Sequence, residues 1–365
     1  MQKRLGLLFL FSLPLFGAEP QAKNVILFLG DAGGISTLNA AGVYGHGKPQ
    51  SLFIQHLDHF ALSDTSALDA WVTDSAAGMT AIVTGHKTNN GMLSVLPTTD
   101  GVGLAPVKTI LEYAEEKGLA TGVITNMAVW DATPAACFAH VGSRKSTTEV
   151  FEALLHPRFG DGVDVLIGAD KKGIVDAATQ LGLEADAALQ GAGYQVLNSP
   201  DAITPEHNRV AAIYDGVDFD PEPVVSNVLK ILSRKPEGFF LMVEWDMHTE
   251  HWEKGLKRVL VMDALIKRVA GEAPADTLIL FAADHSFDLR LRGGKKSSPL
   301  IDQINAAPPD SPIQLRPVLR VDGGHTGEEI LVAAKGPGSE RVHGFIPNTE
   351  IFRIMMSAYG WSETP

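Results

Sequence analysis

The segment Val72-Thr73-Asp74-Ser75-Ala76-Ala77-Gly78-Met79-Thr80 places one serine at the head of a run of tiny residues. A strand-like approach over 70–73, meeting a small-residue helix that begins near Ser75, would surround the hydroxyl with outward-pointing N–H groups and the positive end of a helix dipole. That is a place for phosphate, and read alone it is equally an ordinary Asp/Ser helix cap. Three apolar runs end in metal-capable side chains. Asn24 to Gly30 closes on Asp31, Leu278 to Ala283 closes on Asp284-His285, and Gly238 to Val243 is followed by Glu244, Asp246 and His248. If the last of these continues as a strand, its period of two puts Glu244, Asp246 and His248 on one face, where three ligands would converge. His251 is the alternative imidazole if a helix starts early. His325 stands among glycines that let backbone approach a ligand closely. Asp131 and Thr133 are hard oxygen ligands suited to magnesium, and Arg144 is a bidentate anion clamp. Each residue also has a plain reading: a turn aspartate at Asp31, a buried Asp-His pair at Asp284-His285, a surface histidine at His325.

The elements that must position these groups alternate between strand and helix patterns. Helices are predicted over 107–117, 133–140, 146–155, 224–233 and 252–271. Strands are predicted over 24–30, 119–125, 164–168, 238–244, 277–283 and 329–334. Short, continuous apolar runs alternating with helices predict a doubly wound α/β fold whose mostly parallel sheet is covered on both faces. In such sheets ligands bind at the carboxyl ends of the strands, where Asp31 and Asp284 fall. The segments 86–106, 194–221 and 287–327 read as loops bordering that end.

With 365 residues, 45% hydrophobic and 20% charged, the chain can bury a large core. A net charge of −13 argues against nucleic acid or an anionic membrane as partner. It also sets a puzzle for an anionic substrate, which carboxylate-bound divalent cations would resolve. Residues 1–18 (a basic start, an apolar run from Leu5 to Phe16, then Gly17-Ala18) read as a secretory signal cleaved after Gly17 or Ala18, not as a membrane anchor. Residues 19–365 then form a single catalytic domain. Cys137 is the one cysteine, so an exported chain would be held together by packing or metal and not by an internal disulfide.

In linear order, these pieces resemble the alkaline phosphatases. The resemblance runs from Asn24 to about Phe352. It is carried by strand-Gly-Asp31, Thr-Asp-Ser75-Ala-Ala-Gly-Met-Thr, Thr84-Gly-His-Lys-Thr-Asn-Asn-Gly91, Asp131-Ala-Thr133-Pro, His140-Val-Gly-Ser-Arg144, Phe-Phe-Leu-Met-Val-Glu244, Ala-Asp284-His285 and His325-Thr-Gly. It implies a three-layer α/β/α sandwich and a periplasmic or secreted phosphatase acting on small phosphate monoesters through a phosphoserine at Ser75. It further implies two zinc ions and one magnesium. Asp31, Asp284 and His285 would hold one zinc, and Asp246 and His325 the second. Asp31, Asp131, Thr133 and Glu244 would surround magnesium, and Asp74 would orient Arg144.

One spacing departs from the family pattern, which has the zinc aspartate five residues past the glutamate and a histidine four further on. Here Asp246 follows Glu244 by two, and the next interval lands on Glu250. His248 or His251 is left to complete that site, and strand alternation favours His248. The stretch between Arg144 and Glu244 leaves no room for large accessory insertions, so a homodimer remains open. A phosphodiesterase on the same scaffold is the alternative reaction, against which Arg144 argues by needing two free phosphoryl oxygens. A non-catalytic phosphate- or metal-binding relative is the alternative class.

Overall fold

The structure is a computed structural model that describes residues 21–216, 218–306 and 318–362. The expected signal segment lies outside the described residues. In chain order the first half contains β1 (Asn24–Asp31), α1 (Ile35–His46), β2 (His59–Ser63), α2 (Ser75–Thr84), β3 (Val95–Pro97), β4 (Leu104–Pro106), α3 (Ile110–Glu116), β5 (Ala120–Ala128), α4 (Ala132–Ala135), α5 (Thr147–Leu155), β6 (Val165–Ala169) and α6 (Lys171–Gln180). The second half contains α7 (Ala185–Gly191), β7 (Gln195–Leu197), β8 (Val210–Tyr214), α8 (Pro221–Leu232), β9 (Phe239–Asp246), α9 (Trp252–Glu272), β10 (Thr277–Ala282), β11 (Ser286–Leu291), α10 (Leu300–Asn305), β12 (Leu319–Thr326), β13 (Ile330–Lys335), β14 (His343–Ile346) and α11 (Thr349–Ala358).

Ten strands form one sheet in the order β14-β2-β13-β10-β1-β9-β5-β6-β8-β7. From β10 to β7 every pairing is parallel, whereas β13 runs antiparallel to both β10 and β2. β1 shows why the apolar runs become central strands. All eight of its residues are buried, with Val25, Leu27 and Leu29 in the core on one face and Ile26 and Phe28 in the core on the other. Helices α2 to α7 and α11 cover the first face, and α1, α8, α9 and α10 the second. The expected α/β/α sandwich is therefore present.

The register aligns the site before any side chain is considered. β1 pairs with β9 so that Asp31 faces Asp246, and Leu29 pairs with both Glu244 and Ala282. Two residues beyond Ala282 is Asp284, level with Asp31. Thr125 on β5 sits opposite Glu244. Two close approaches fix what packs against these ends. A Cβ on Gly78 of α2 would stand 2.7 Å from the Asp284 carbonyl oxygen, and one on Gly34 would overlap the Ser286 side chain. Only glycine lets α2 and the start of α1 come that near.

Several local expectations differ. The segment 194–221 is not simply a loop, because it contributes β7 and β8 to the sheet. The pattern over 133–140 forms only the short α4. The hydroxyls of Ser94 and Thr109 bond to the Ala136 and Cys137 carbonyls at 2.6 Å, taking acceptors that a continued helix would use. The approach over 70–73 is not a strand, and Trp71 there is 90% exposed. The segment 287–327 includes β11 and β12, whose antiparallel pairing brings His325 opposite Phe287.

Candidate active site

Ser75 is the first residue of α2 and is 4% exposed. Asp74 caps that helix. Its Oδ1 accepts from Ala77 N at 3.0 Å, and its Oδ2 accepts from Gly91 N at 3.0 Å and from Arg144 Nη1 at 3.3 Å. Arg144 Nη2 donates to Asp131 Oδ1 at 2.7 Å, so two carboxylates aim one guanidinium while leaving it partly exposed. The cap and the anion clamp thus meet beside the serine hydroxyl, which lies 3.2 Å from His285 Nε2.

Behind the serine, Asp31, Asp284 and His285 bring one donor atom each within 4.8 Å of the others, and all three residues are buried. His285 Nε2 is 3.4 Å from both Asp31 Oδ1 and Asp284 Oδ2, yet neither oxygen has a hydrogen-bond partner. Burial, reinforced by the charges of Asp284, Glu244, Asp246 and Asp131, pushes the Asp31 carboxyl well above its ordinary range. Glu244 is driven to about 8 by the same desolvation, against the hydrogen bond from the Thr125 hydroxyl. Thr133, 1% exposed, lacks a hydrogen bond of good geometry at its hydroxyl, although it lies close enough to Glu244 to favour the carboxylate. Desolvation lowers His285 to about 4, so its imidazole is neutral over the ordinary pH range.

Such a cluster is costly without cations. Buried carboxylates normally find a hydrogen bond or a counter-charge, and an orphaned acceptor forfeits about 1–3 kcal/mol. Orphaned oxygens on Asp31, Asp284 and Thr133 fit a site for hard or borderline divalent metals.

A second group joins His248, His285 and His325. The His285 and His325 rings stack at 3.6 Å between centroids, and His248 lies 5.7 and 5.8 Å from them. Each ring is oriented by an oxygen at Nδ1: Asp246 Oδ1 at 2.9 Å for His248, the Ser286 carbonyl at 3.1 Å for His285, and the Thr73 carbonyl at 3.0 Å for His325. A carbonyl can only accept, so His285 and His325 each donate from Nδ1, which leaves Nε2 as the nitrogen not engaged with backbone.

Of the two imidazoles left open by the spacing, the fold brings His248 into the cluster. His251 stands at the start of α9, in an open groove with Trp252 and Arg258. The strand alternation expected to carry Glu244, Asp246 and His248 does not reach His248, although Asp246 and His248 touch at 2.9 Å. β9 ends at Asp246, the chain turns, and Asp246 belongs to neither metal-capable group. Its carboxylate accepts from His248 and from Arg258, whose other nitrogens grip Asp218. Burial works to raise the Asp246 pKa, but the His248 hydrogen bonds and the Arg258 charge outweigh it and hold the group low.

Residue patterns missed Arg258, Asp218, Asn126 and Thr125. The sign of Arg258 was available, because a charged residue falls on the stripe of Leu256, Val259 and Met262 that α9 buries. Asp218 and Asn126 carry no local signal and become visible only once the fold brings them to Arg258 and to each other.

The fold and this site define a phosphate-ester hydrolase of the α/β class, in which a serine at a helix N-terminus is backed by clustered carboxylates and imidazoles. The family model described as "Alkaline phosphatase" matches residues 22–175 and 221–308. The alkaline phosphatase of Escherichia coli (strain K12) is 27% identical over 423 aligned residues, covering 94% of this chain and 87% of that protein. Streptomycin-6-phosphate phosphatase of Streptomyces griseus is 27% identical over 416, covering 93% and 91%. Among solved structures, the alkaline phosphatase of Thermus thermophilus superposes with a TM-score of 0.77 at 20% identity, covering 94% of this chain and 92% of that one. That of the Antarctic bacterium TAB5 superposes with 0.75 at 22%, covering 94% and 100%. The chain belongs to the alkaline phosphatase family, a metal-dependent family of phosphoric monoester hydrolases.

Proposed function

We propose that this chain is a periplasmic or secreted phosphomonoesterase in which residues 19–365 act as one catalytic domain and Ser75 is the nucleophile. The observation that carries this reading is the meeting of a capped helix N-terminus at Ser75 with buried, unpaired carboxylate oxygens on Asp31 and Asp284. In the proposed assignment, Asp31, Asp284 and His285 hold one zinc, His248 and His325 a second, and Asp31, Asp131, Thr133 and Glu244 a magnesium. When bound, these cations would favour the ionised serine oxygen and offset charge on the leaving group.

The protein's own groups do the rest. Helix α2 presents Ser75 with its dipole favouring anionic phosphate. Arg144, steered by Asp74 and Asp131, clamps two phosphoryl oxygens and opposes the serine to the leaving oxygen. Attack transfers the phosphoryl group to Ser75 Oγ and releases the alcohol. Water then attacks the phosphoserine in line, so phosphorus keeps its configuration.

Hydrolysis of an aryl phosphate and of its bis-aryl diester, each with and without a strong chelator, tests the reading. Faster turnover of the monoester, abolished by chelator, is expected. Faster turnover of the diester, or activity that persists in chelator, would overturn it.

A further inference from the structure

We propose that Asp246 is a positioning residue and not a metal ligand, and that Arg258 and Asp218 hold it in that role, so that the centre at His248 and His325 contains no protein carboxylate. This inference rests on the metal reading above and goes beyond it.

Three observations carry it. First, both Asp246 oxygens are engaged: Oδ1 accepts from His248 N and Nδ1, each at 2.9 Å, and Oδ2 is bonded to Arg258 Nη1. On Asp31 and Asp284, by contrast, one oxygen of each is orphaned. Second, the clamp is itself braced. Arg258 Nε donates to Asp218 Oδ2 at 2.7 Å, Asn126 Nδ2 donates to Asp218 Oδ1 at 3.0 Å, and Asn126 Oδ1 accepts from Asp246 N at 2.9 Å. To reach a cation, Asp246 would have to leave a buried guanidinium with one carboxylate fewer, and stranding a buried charge is costly. Third, Asp246 does for His248 what the Ser286 and Thr73 carbonyls do for the other two rings: it accepts the Nδ1–H hydrogen bond and so turns Nε2 away from itself.

The two centres therefore differ in kind. His285 has its Nδ1 committed to Ser286, so its single free nitrogen can serve one ion only. If it serves the ion held by Asp31 and Asp284, the other ion has the imidazoles of His248 and His325. The carboxylate centre should then bind a divalent cation tightly and the imidazole centre weakly, leaving open positions there for the phosphate ester and water.

The test is metal titration of the full-length chain after chelator stripping, with zinc binding read by competition against a chromophoric chelator and cobalt binding by its visible spectrum. Expected are one tight ion and a second bound at least about tenfold more weakly. Asp246→Asn keeps an acceptor for His248 and should leave second-site affinity within about tenfold and the cobalt bands in place. Asp246→Ala should cost about 10- to 100-fold in second-site affinity, as losing an orienting partner does. Arg258→Met should free Asp246, tighten the second site and shift the cobalt bands as a carboxylate enters. Asp246→Asn is close in shape to the native residue and carries the test if the other variants do not fold. Loss of the second ion by more than about 100-fold in Asp246→Asn, or equal affinity of the two sites in the native chain, would overturn the proposal while leaving the metal reading intact. No uptake of zinc or cobalt would overturn both.

Discussion

The ends of β1 and β10 and the end of β9 lie side by side at one level of the sheet, yet they treat their acids in opposite ways. At β1 and β10, Asp31 and Asp284 are buried, and among the described residues each keeps one unpaired oxygen and neither is bonded to an arginine. At β9, Asp246 is somewhat less deeply buried and has both oxygens bonded, to His248 on one side and Arg258 on the other. The first region is built with a deficit of positive charge, and the second is already neutralised by the protein. On the proposal above, a carboxylate at the carboxyl end of a central strand is not by position alone a metal ligand. What decides is whether the fold supplies it with a cation of its own.

The largest expected effects lie in the deficient region. Ser75→Ala should lower turnover by about 10³-fold or more while keeping bound metal, and Asp284→Asn should lower both turnover and metal content. Metal analysis beside a steady-state assay separates the two. Arg144→Ala should cost about 10²- to 10³-fold in kcat/KM for a monoester and less for a diester, because a monoester has three non-bridging oxygens and the greater negative charge, whereas a diester has two oxygens and a single charge.

The pH dependence of stability sharpens the contrast further. The folded, metal-free protein holds a proton on Glu244 up to about pH 8, whereas the unfolded chain releases it near 4.5. The native state binds more protons across that window, so stability falls as pH rises through it, by on the order of a few kcal/mol, and is flat below it. Divalent cations displace that proton and should remove the fall. Glu115, a residue of α3 raised to about 7 mainly by burial and not among the proposed ligands, should keep its own decline from 4.5 to 7 with or without metal. Melting temperature against pH, in chelator and in zinc plus magnesium, checks both, and an unchanged profile on adding metal would count against cation binding at Glu244. The smallest effect belongs to the neutralised region: Asp246→Asn should change kcat/KM by less than about tenfold.

Much of this arrangement is legible in the residue order. Continuous apolar runs such as Asn24 to Gly30 and Leu278 to Ala283 mark strands covered on both faces, and the acids that close them mark the ligand end of the sheet. Ser75 is legible only in company: an aspartate and serine before small residues read alone as a helix cap, and the ordered motifs that follow give the serine its chemistry. Three kinds of information were hidden. Strand alternation assumed that β9 continues to His248, but the chain turns after Asp246, and a two-residue periodicity cannot announce where it stops. The fate of Asp246 depends on Arg258 twelve residues on and Asp218 far upstream, whose meeting is a product of α9 crossing the opposite face of the sheet. β8 was hidden for a simpler reason, since five apolar residues stand in an otherwise polar stretch.

The central claim is that Ser75 attacks phosphorus with cations held by the acids and imidazoles behind it. The most direct measurement is acid quenching of the metal-loaded chain during turnover of a phosphate monoester, followed by mass spectrometry of its peptides. One phosphoryl group is expected on the peptide containing Ser75, absent after chelation and absent in Ser75→Ala. Turnover without that adduct in Ser75→Ala, or the same adduct formed at full rate in chelator, would contradict it.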